Sequence, residues 1–328
     1  MMQHEIVSAV SKRGVHVRRK DRAAYSSSFP LRQRTLKNRI KCSGIGLHSG
    51  ARVNMTLNPS APGTGVVFRR TDVQGAQQFV SASFDSVTDL TMCTTVGNGD
   101  GVSVGTIEHL MAAFAGCGVD NVLVELDGPE VPAMDGSAAP FVFLIECADT
   151  VEQPAFRRYI QVLQQIEVRD DNRAAILSPA DNFGVSFEID FANAVVGEQS
   201  CHFALYNGTF KAELARARTF GFVSEFDRLR SLGLARGGSL ENAVVISGEK
   251  VLNEEGLRYE DEFVRHKALD SIGDLFLAGA PILGHFHGIR SGHALNNRLL
   301  QALFAAPDAW QYTDRPSFWT DQRAVANG

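Results

Sequence analysis

The chain alternates between two kinds of hydrophobic pattern. Short runs with a period of two come first: "RIKCSGIGL", "RVNMTLNP" and "GVVFRR". In the second run Val53, Met55 and Leu57 alternate with polar residues, as a strand with one buried face requires. A helical stretch follows at "TIEHLMAAFAG", with Ile107, Leu110, Met111 and Phe114 on one face. Thr106 is placed to cap its start and Gly116 its end. Next come a buried strand, "DNVLVEL", a turn at Asp135-Gly136, and a helix from Ser137 with Pro140 in its first turn.

From about Arg157 the order recurs. Strands "YIQVLQQIEV", "AAILSP" and "FGVSFEIDF" precede a helix at "FVRHKALDSIGDLFLAG", a strand "PILGHFHG" and a helix "HALNNRLLQALF". Strands, helix, strand, helix therefore occur twice. The pattern predicts an α+β protein of two similar domains, each a sheet packed on helices as a two-layer sandwich. Residues 34–152 form the first domain and 153–305 the second. Residues 1–33 are a basic, disordered extension and 306–328 a tail without clear periodicity. One segment breaks the symmetry: "ARTFGFVSEFDRLRSLGLARGGSLENAVVIS" reads as a βαβ insert at about residues 220–247, material of the kind that shapes a ligand pocket.

Composition narrows the function classes. With 44% hydrophobic and 21% charged residues among 328, the chain has the make-up of a soluble globular protein. A net charge of −5 gives no basis for nucleic-acid binding. No apolar run reaches the length of a membrane span. Five cysteines without paired spacing read as thiols in a reducing compartment. The N-terminal stretch lacks a signal-peptide core; its rival reading, an organelle transit peptide, is weakened by Glu5 and Asp21. A cytoplasmic enzyme or binding protein is expected.

The chemistry concentrates in "EDEFVRHKALDSIGDLF". Leu269, Ile272 and Phe276 form an apolar stripe, while His266, Asp270 and Asp274 form a second stripe at four-residue spacing. An imidazole and a carboxylate at i and i+4 can share one metal ion, or form a plain helix ion pair. Asp274 fits the ion pair poorly but suits an acceptor that orients another histidine. Glu108-His109 opens the first helix. Adjacent helix positions point about 100° apart, so one can bind a metal while the other holds a water; a solvated helix start is the alternative. His293, at the start of "HALNN", is either a capping residue or a general acid whose charge a carboxylate restores. His285 and His287 share a strand face without a nearby carboxylate and read as structural. His48, in the turn "GIGLHSG", is open between binding and loop roles. H-E-x-x-H and Walker A motifs are absent.

Taken in order, these pieces resemble the UDP-3-O-acyl-N-acetylglucosamine deacetylases, the zinc amidases of lipid A biosynthesis. The resemblance runs from "RTLKNRIKCSGIGLHSG" to "SGHALNNRLLQALF" and includes "TIEHLMAAFAG", "MDGSAAPFV", "ARTFGF" and "VLNEEGLRYEDEFVRHKALDSIGDLF". It implies one catalytic Zn2+, or Fe2+ in its place, on His109, His266 and Asp270, between the two domains. It implies Glu108 as general base, His293 as general acid supported by Asp274, and Thr219 beside the developing oxyanion. Lys267 becomes a substrate contact, Phe220, Phe222 and Gly238 line an acyl passage in the insert, and Phe183 matches the aromatic that stacks on uracil. The loop around Cys93, "DLTMCTTV", which would cover the site and touch substrate, departs from the family's usual order. The implied partner is a small acylated UDP-sugar, with neither nucleic acid nor stable membrane insertion. Two other readings stand beside this one: a non-catalytic UDP-sugar or acyl-chain binding protein of the same fold, and a metal amidase for a different acylated sugar nucleotide.

Overall fold

Alternation in "RVNMTLNP" places Val53, Met55 and Leu57 at 0–1% exposure and their neighbours toward solvent, so one face of this strand is core. In a computed structural model, which describes residues 31–205 and 208–314, it lies within a five-stranded sheet. The strands are β1 (Ile40–Ile45), β2 (Arg52–Pro59), β3 (Val66–Arg70), β4 (Phe79–Ser81) and β5 (Val122–Leu126), in the order β1-β2-β5-β3-β4. Helix α1 (Glu108–Cys117) precedes β5 and helix α2 (Ala139–Ala148) follows it.

The second half repeats this plan. Strands β6 (Ile166–Asp170), β7 (Arg173–Ser178), β8 (Phe183–Asp190) and β9 (Glu198–Ala204) come before the insert, whose strands are β10 (Phe220–Phe222) and β11 (Val244–Ser247) around helix α3 (Val223–Ser231). Helix α4 (Glu262–Phe276), strand β12 (Ile282–Ile289) and helix α5 (His293–Ala305) complete it. The pairing runs β6-β7-β12-β8-β9. In each half the strand entered from the catalytic-type helix pairs antiparallel to its second strand and parallel to its third. The expected repeat is therefore topological as well as patterned, and the α+β class holds. The insert is a βαβ unit, with β10 and β11 parallel.

Four details differ from the sequence reading. "YIQVLQQIEV" is two strands, Tyr159–Val162 and β6, because the first pairs with β12 and with a strand at Trp310–Thr313 while the second pairs with β7. The stretch after Pro307 thus contributes an edge strand. Arg32–Leu36 pairs with Thr150–Phe156, a strand that spans the expected boundary at residue 152. Helix α1 is capped neither by Thr106 nor by Gly116: Thr106 takes a left-handed φ of 55° and gives its hydroxyl proton to Glu130, and the left-handed C-cap is Gly118. Gly116 instead makes room for the ring of Phe210, which a Cβ there would meet at 2.1 Å. Residues 1–30 and 315–328, which hold most of the expected extension and tail, lie outside the described residues.

The halves meet where α1 crosses α4. A Cβ on Gly273 would fall 2.0 Å from the Glu108 carbonyl oxygen, so the two helices touch backbone to backbone. Phe84 of the first half stacks on Phe304 of the second, with centroids 4.5 Å apart. Helix α4 is enclosed on nearly all sides, and its polar stripe is as buried as its apolar one.

Candidate active site

Close crossing of α1 over α4 brings residues from both halves to one point. His109 sits in the first turn of α1; His266 and Asp270 sit one turn apart on α4. The Nε2 atoms of His109 and His266 lie 3.4 and 3.3 Å from Asp270 Oδ1. All three side chains are buried, and their donor atoms fall within 4.8 Å of one another, the sole such group among the described residues. Asp270 Oδ1 is a buried oxygen with no hydrogen-bond partner. An unsatisfied carboxylate oxygen facing two imidazole nitrogens is costly unless a cation fills the point they share. His266 is prepared for ligation: its Nδ1 is 3.1 Å from the Ala217 carbonyl, which leaves Nε2 facing inward, and burial pushes its pKa down to about 3. At His109 burial disfavours charge, but the Asp270 carboxylate beside it outweighs this. A dication at the same point supplies that positive charge instead. The donor set thus fits a metal ion.

Around this triad stand groups able to move protons. Glu108 Oε2 accepts the Thr94 N–H at 3.0 Å, and burial raises its pKa, opposed by the charges of His293 and His109. Asp274 Oδ2 lies 2.8 Å from His293 Nδ1 and accepts the Asn296 amide at 2.8 Å; its Oδ1 accepts the Thr94 hydroxyl at 2.6 Å. Burial opposes the His293 charge, but Asp274 prevails and lifts its pKa to about 9. With Nδ1 on Asp274, the other ring nitrogen is free to act in the site. Thr94, absent from the sequence-based site, ties Glu108 to Asp274 through its N–H and its hydroxyl. Neither a motif nor a period marks it.

A cleft of about 230 Å³ opens beside the triad, walled by the insert. Thr219, Phe220, Phe222, Gly238, His266 and Lys267 line it together, as expected from the sequence. Lys267 reaches Asp270 Oδ2 at 2.8 Å, and that contact keeps it charged despite burial. His48 joins them from the turn "GIGLHSG", which Glu130 anchors through the N–H groups of His48 and Ser49. His48 Nδ1 accepts the Ala235 N–H at 3.3 Å, which assigns the ring proton to Nε2; this nitrogen is buried without a partner. Beneath the cleft Arg218 gives its N–H and Nε–H to Glu262 Oε1, both at 2.9 Å, and so pins the segment carrying Thr219 to the start of α4.

Two expected contacts fall elsewhere. Phe183 begins β8 and lines a separate cavity, whereas Phe191, just past the end of the same strand, lines the cleft. Eight strand residues span about 26 Å, so a single pocket cannot hold both. Cys93 is 7% exposed, lies beside Glu108 and is pushed up to about 12 by burial and that charge; the neighbouring Met92 reaches the cleft in its place. His285 and His287 keep to the outer face of the second sheet, bound to Ser186 and Glu188.

An N/N/O donor triad with an adjoining carboxylate and a carboxylate-backed histidine, beside a cleft between two α+β halves, fits the class of metal-dependent hydrolases. A sequence profile of the UDP-3-O-acyl N-acetylglycosamine deacetylases matches residues 33–305. Relatives named UDP-3-O-acyl-N-acetylglucosamine deacetylase include one from Phenylobacterium zucineum, 52% identical over 85% of this chain and 95% of its own. Another, from Acidithiobacillus ferrooxidans, is 52% identical over 87% and 93%, and one from Chromohalobacter salexigens is 50% identical over 86% and 93%. The chain belongs to the UDP-3-O-acyl N-acetylglycosamine deacetylase family.

Proposed function

We propose that this chain removes acetate from the 2-acetamido group of UDP-3-O-(3-hydroxyacyl)-N-acetylglucosamine, the committed step of lipid A biosynthesis. The observation that carries the reading is the convergence of the buried triad, Glu108 and the His293–Asp274 pair on one another, beside a cleft that His266 borders. Family membership and the names of its relatives support the same substrate. A non-catalytic binding protein has no need of a buried base and a charged acid at such a point.

His109, His266 and Asp270 would hold the ion, with Zn2+ the better match to this donor set and Fe2+ an acceptable substitute. When bound, the metal supplies Lewis-acid polarisation of the amide carbonyl and makes water more acidic. Glu108 takes the proton from the attacking water; its raised pKa makes it a stronger base than an exposed glutamate. His293, cationic at neutral pH, faces the developing negative charge together with the Thr219 hydroxyl. It then gives its proton to the departing nitrogen, because an amide nitrogen leaves poorly as an anion. Asp274 holds the ring in the required tautomer. Lys267 and His48 offer hydrogen-bond donors to the sugar nucleotide, Phe191 offers a ring face to the base, and Phe220 and Phe222 border the acyl chain. A sugar nucleotide is a soluble substrate and no helix of the described residues is long and apolar enough to cross a membrane, which agrees with a cytoplasmic enzyme.

Acetate release from the acylated UDP-sugar tests the reading. Chelated protein should lose turnover and regain it with one equivalent of Zn2+. Glu108→Ala should keep the metal and lose about 10²–10⁴-fold in kcat; normal turnover in that variant would overturn the assignment.

A further inference from the structure

Thr94 is 1% exposed and does not border the cleft, so it is no contact for a bound substrate. Its peptide is bracketed by the start of α1. The carbonyl accepts the Ile107 N–H at 3.3 Å, and its own N–H goes to Glu108 Oε2 at 3.0 Å. Its hydroxyl crosses between the halves and donates to Asp274 Oδ1, on α4, at 2.6 Å. The other oxygen of Asp274 serves α5, where it meets His293 Nδ1 and the Asn296 amide, both at 2.8 Å. Asn296 is steadied in turn by the Ser291 hydroxyl at 2.8 Å. One carboxylate is therefore gripped from both halves, a different oxygen from each.

The last torsion of an aspartate is soft, so contacts to Oδ2 alone leave the plane of the Asp274 carboxylate free to turn. The bond from Thr94 is short and ends on a charged acceptor, the strong kind of hydrogen bond. By fixing Oδ1 it fixes the plane in which Oδ2 meets the His293 ring. The backbone around this contact is strained. Met92 and Thr106, two residues before Thr94 and Glu108, take left-handed φ values of 66° and 55°. Outside glycine such conformations persist only where their surroundings enforce them, and they gather at functional sites. A packing role alone would ask only for the size and shape of threonine, which valine also has.

We propose that Thr94 is a positioning residue of the reaction, which acts through Asp274 to set the orientation of His293 relative to Glu108. The donor and the acceptor of the two proton transfers sit on different halves, and Thr94 keeps one spacing between them. The inference rests on the roles proposed above for Glu108 and His293.

Thr94→Val removes the hydroxyl and keeps the backbone N–H on Glu108. The metal-loaded full chain carrying it should hold Zn2+ as the wild type does, with KM little changed. Its kcat should fall by roughly 10–100-fold, the cost of a small misplacement of a reacting group, and Thr94→Ser should restore most of that loss. Wild-type kcat in Thr94→Val, or a rise in KM alone, would overturn the proposal. If Thr94→Val misfolds, Thr94→Cys carries the comparison, since a thiol is a weak donor. A double-mutant cycle tests the route: in an Asp274→Asn background Thr94→Val should cost little more, and fully additive losses would refute action through Asp274. One readout needs no turnover. The His293 Nδ1 proton, held on Asp274, gives a low-field NMR signal that should move or broaden in Thr94→Val and stay in place in Thr94→Ser. An unmoved signal in Thr94→Val would refute the positioning role whether or not the wild type releases acetate, so this inference and the proposed deacetylation fail separately.

Discussion

At the scale of single residues, His293 sets the clearest test. Asp274 lifts its pKa to about 9, so a reaction that needs the cationic ring should proceed below that value and fade as pH rises through it. In Asp274→Asn burial is opposed only by the charges of Glu108 and Asp270. The alkaline limb of the kcat profile should then move toward acid by about 1–3 units, and an unmoved limb would show that another group titrates there. His48 makes a different prediction, since it lines the cleft and its Nε2–H is buried without a partner among the described residues. His48→Phe should raise KM by up to about tenfold, the worth of one neutral hydrogen bond, with kcat little changed; steady-state kinetics separate the two. Helix spacing made it legible that His266, Asp270 and Asp274 share a line, but their roles and those of Glu108, His109 and His293 came from the family resemblance. Phe183 was matched to a stacking aromatic by resemblance alone, and it lines a cavity apart from the cleft. Thr94 and the Arg218–Glu262 pair were invisible, since their meaning lies in contacts between segments far apart in sequence.

Among the elements, α4 carries the greatest load. It delivers two of the three donors, the partner of the acid, and a lysine, while its remaining face fills the core. Its start depends on Glu262, fully buried and bound by Arg218 side chain and backbone and by the Arg258 N–H at 2.7 Å. Removing one member of a buried ion pair weakens the hold on the other, which here keeps Glu255 at 2.6 Å, so Glu262→Ala should cost about 3 kcal/mol. Urea unfolding measures this, and a loss below about 1 kcal/mol would mean that water reaches Arg218. The helices, the insert and the repeated order could all be read from hydrophobic period. Strand β9 and the split of "YIQVLQQIEV" could not, because short edge segments draw their definition from neighbours rather than from their own pattern.

For the whole molecule, a metal that takes ligands from both halves ties them together. Ligand binding to the folded state alone stabilises it, by about 4 kcal/mol at a thousand times Kd. Adding Zn2+ to chelated protein should therefore raise the unfolding midpoint. The same addition to His266→Ala should raise it far less, a comparison made by calorimetry without reference to activity. An equal rise in both would place the ion elsewhere.

The contact of Gly273 with the Glu108 carbonyl also bears on how the protein is made. Chains emerge from the ribosome in order, N-terminus first. The first half can close its sheet while Glu108 and His109 still wait at the start of α1. Their partners arrive only when α4 emerges and lies back across that helix, and the acid arrives later still, with α5. On the proposed assignment, a nascent chain holds one of the three metal ligands, His109, until His266 and Asp270 are added. An ion cannot be seated on all three before the second half has been translated as far as α4.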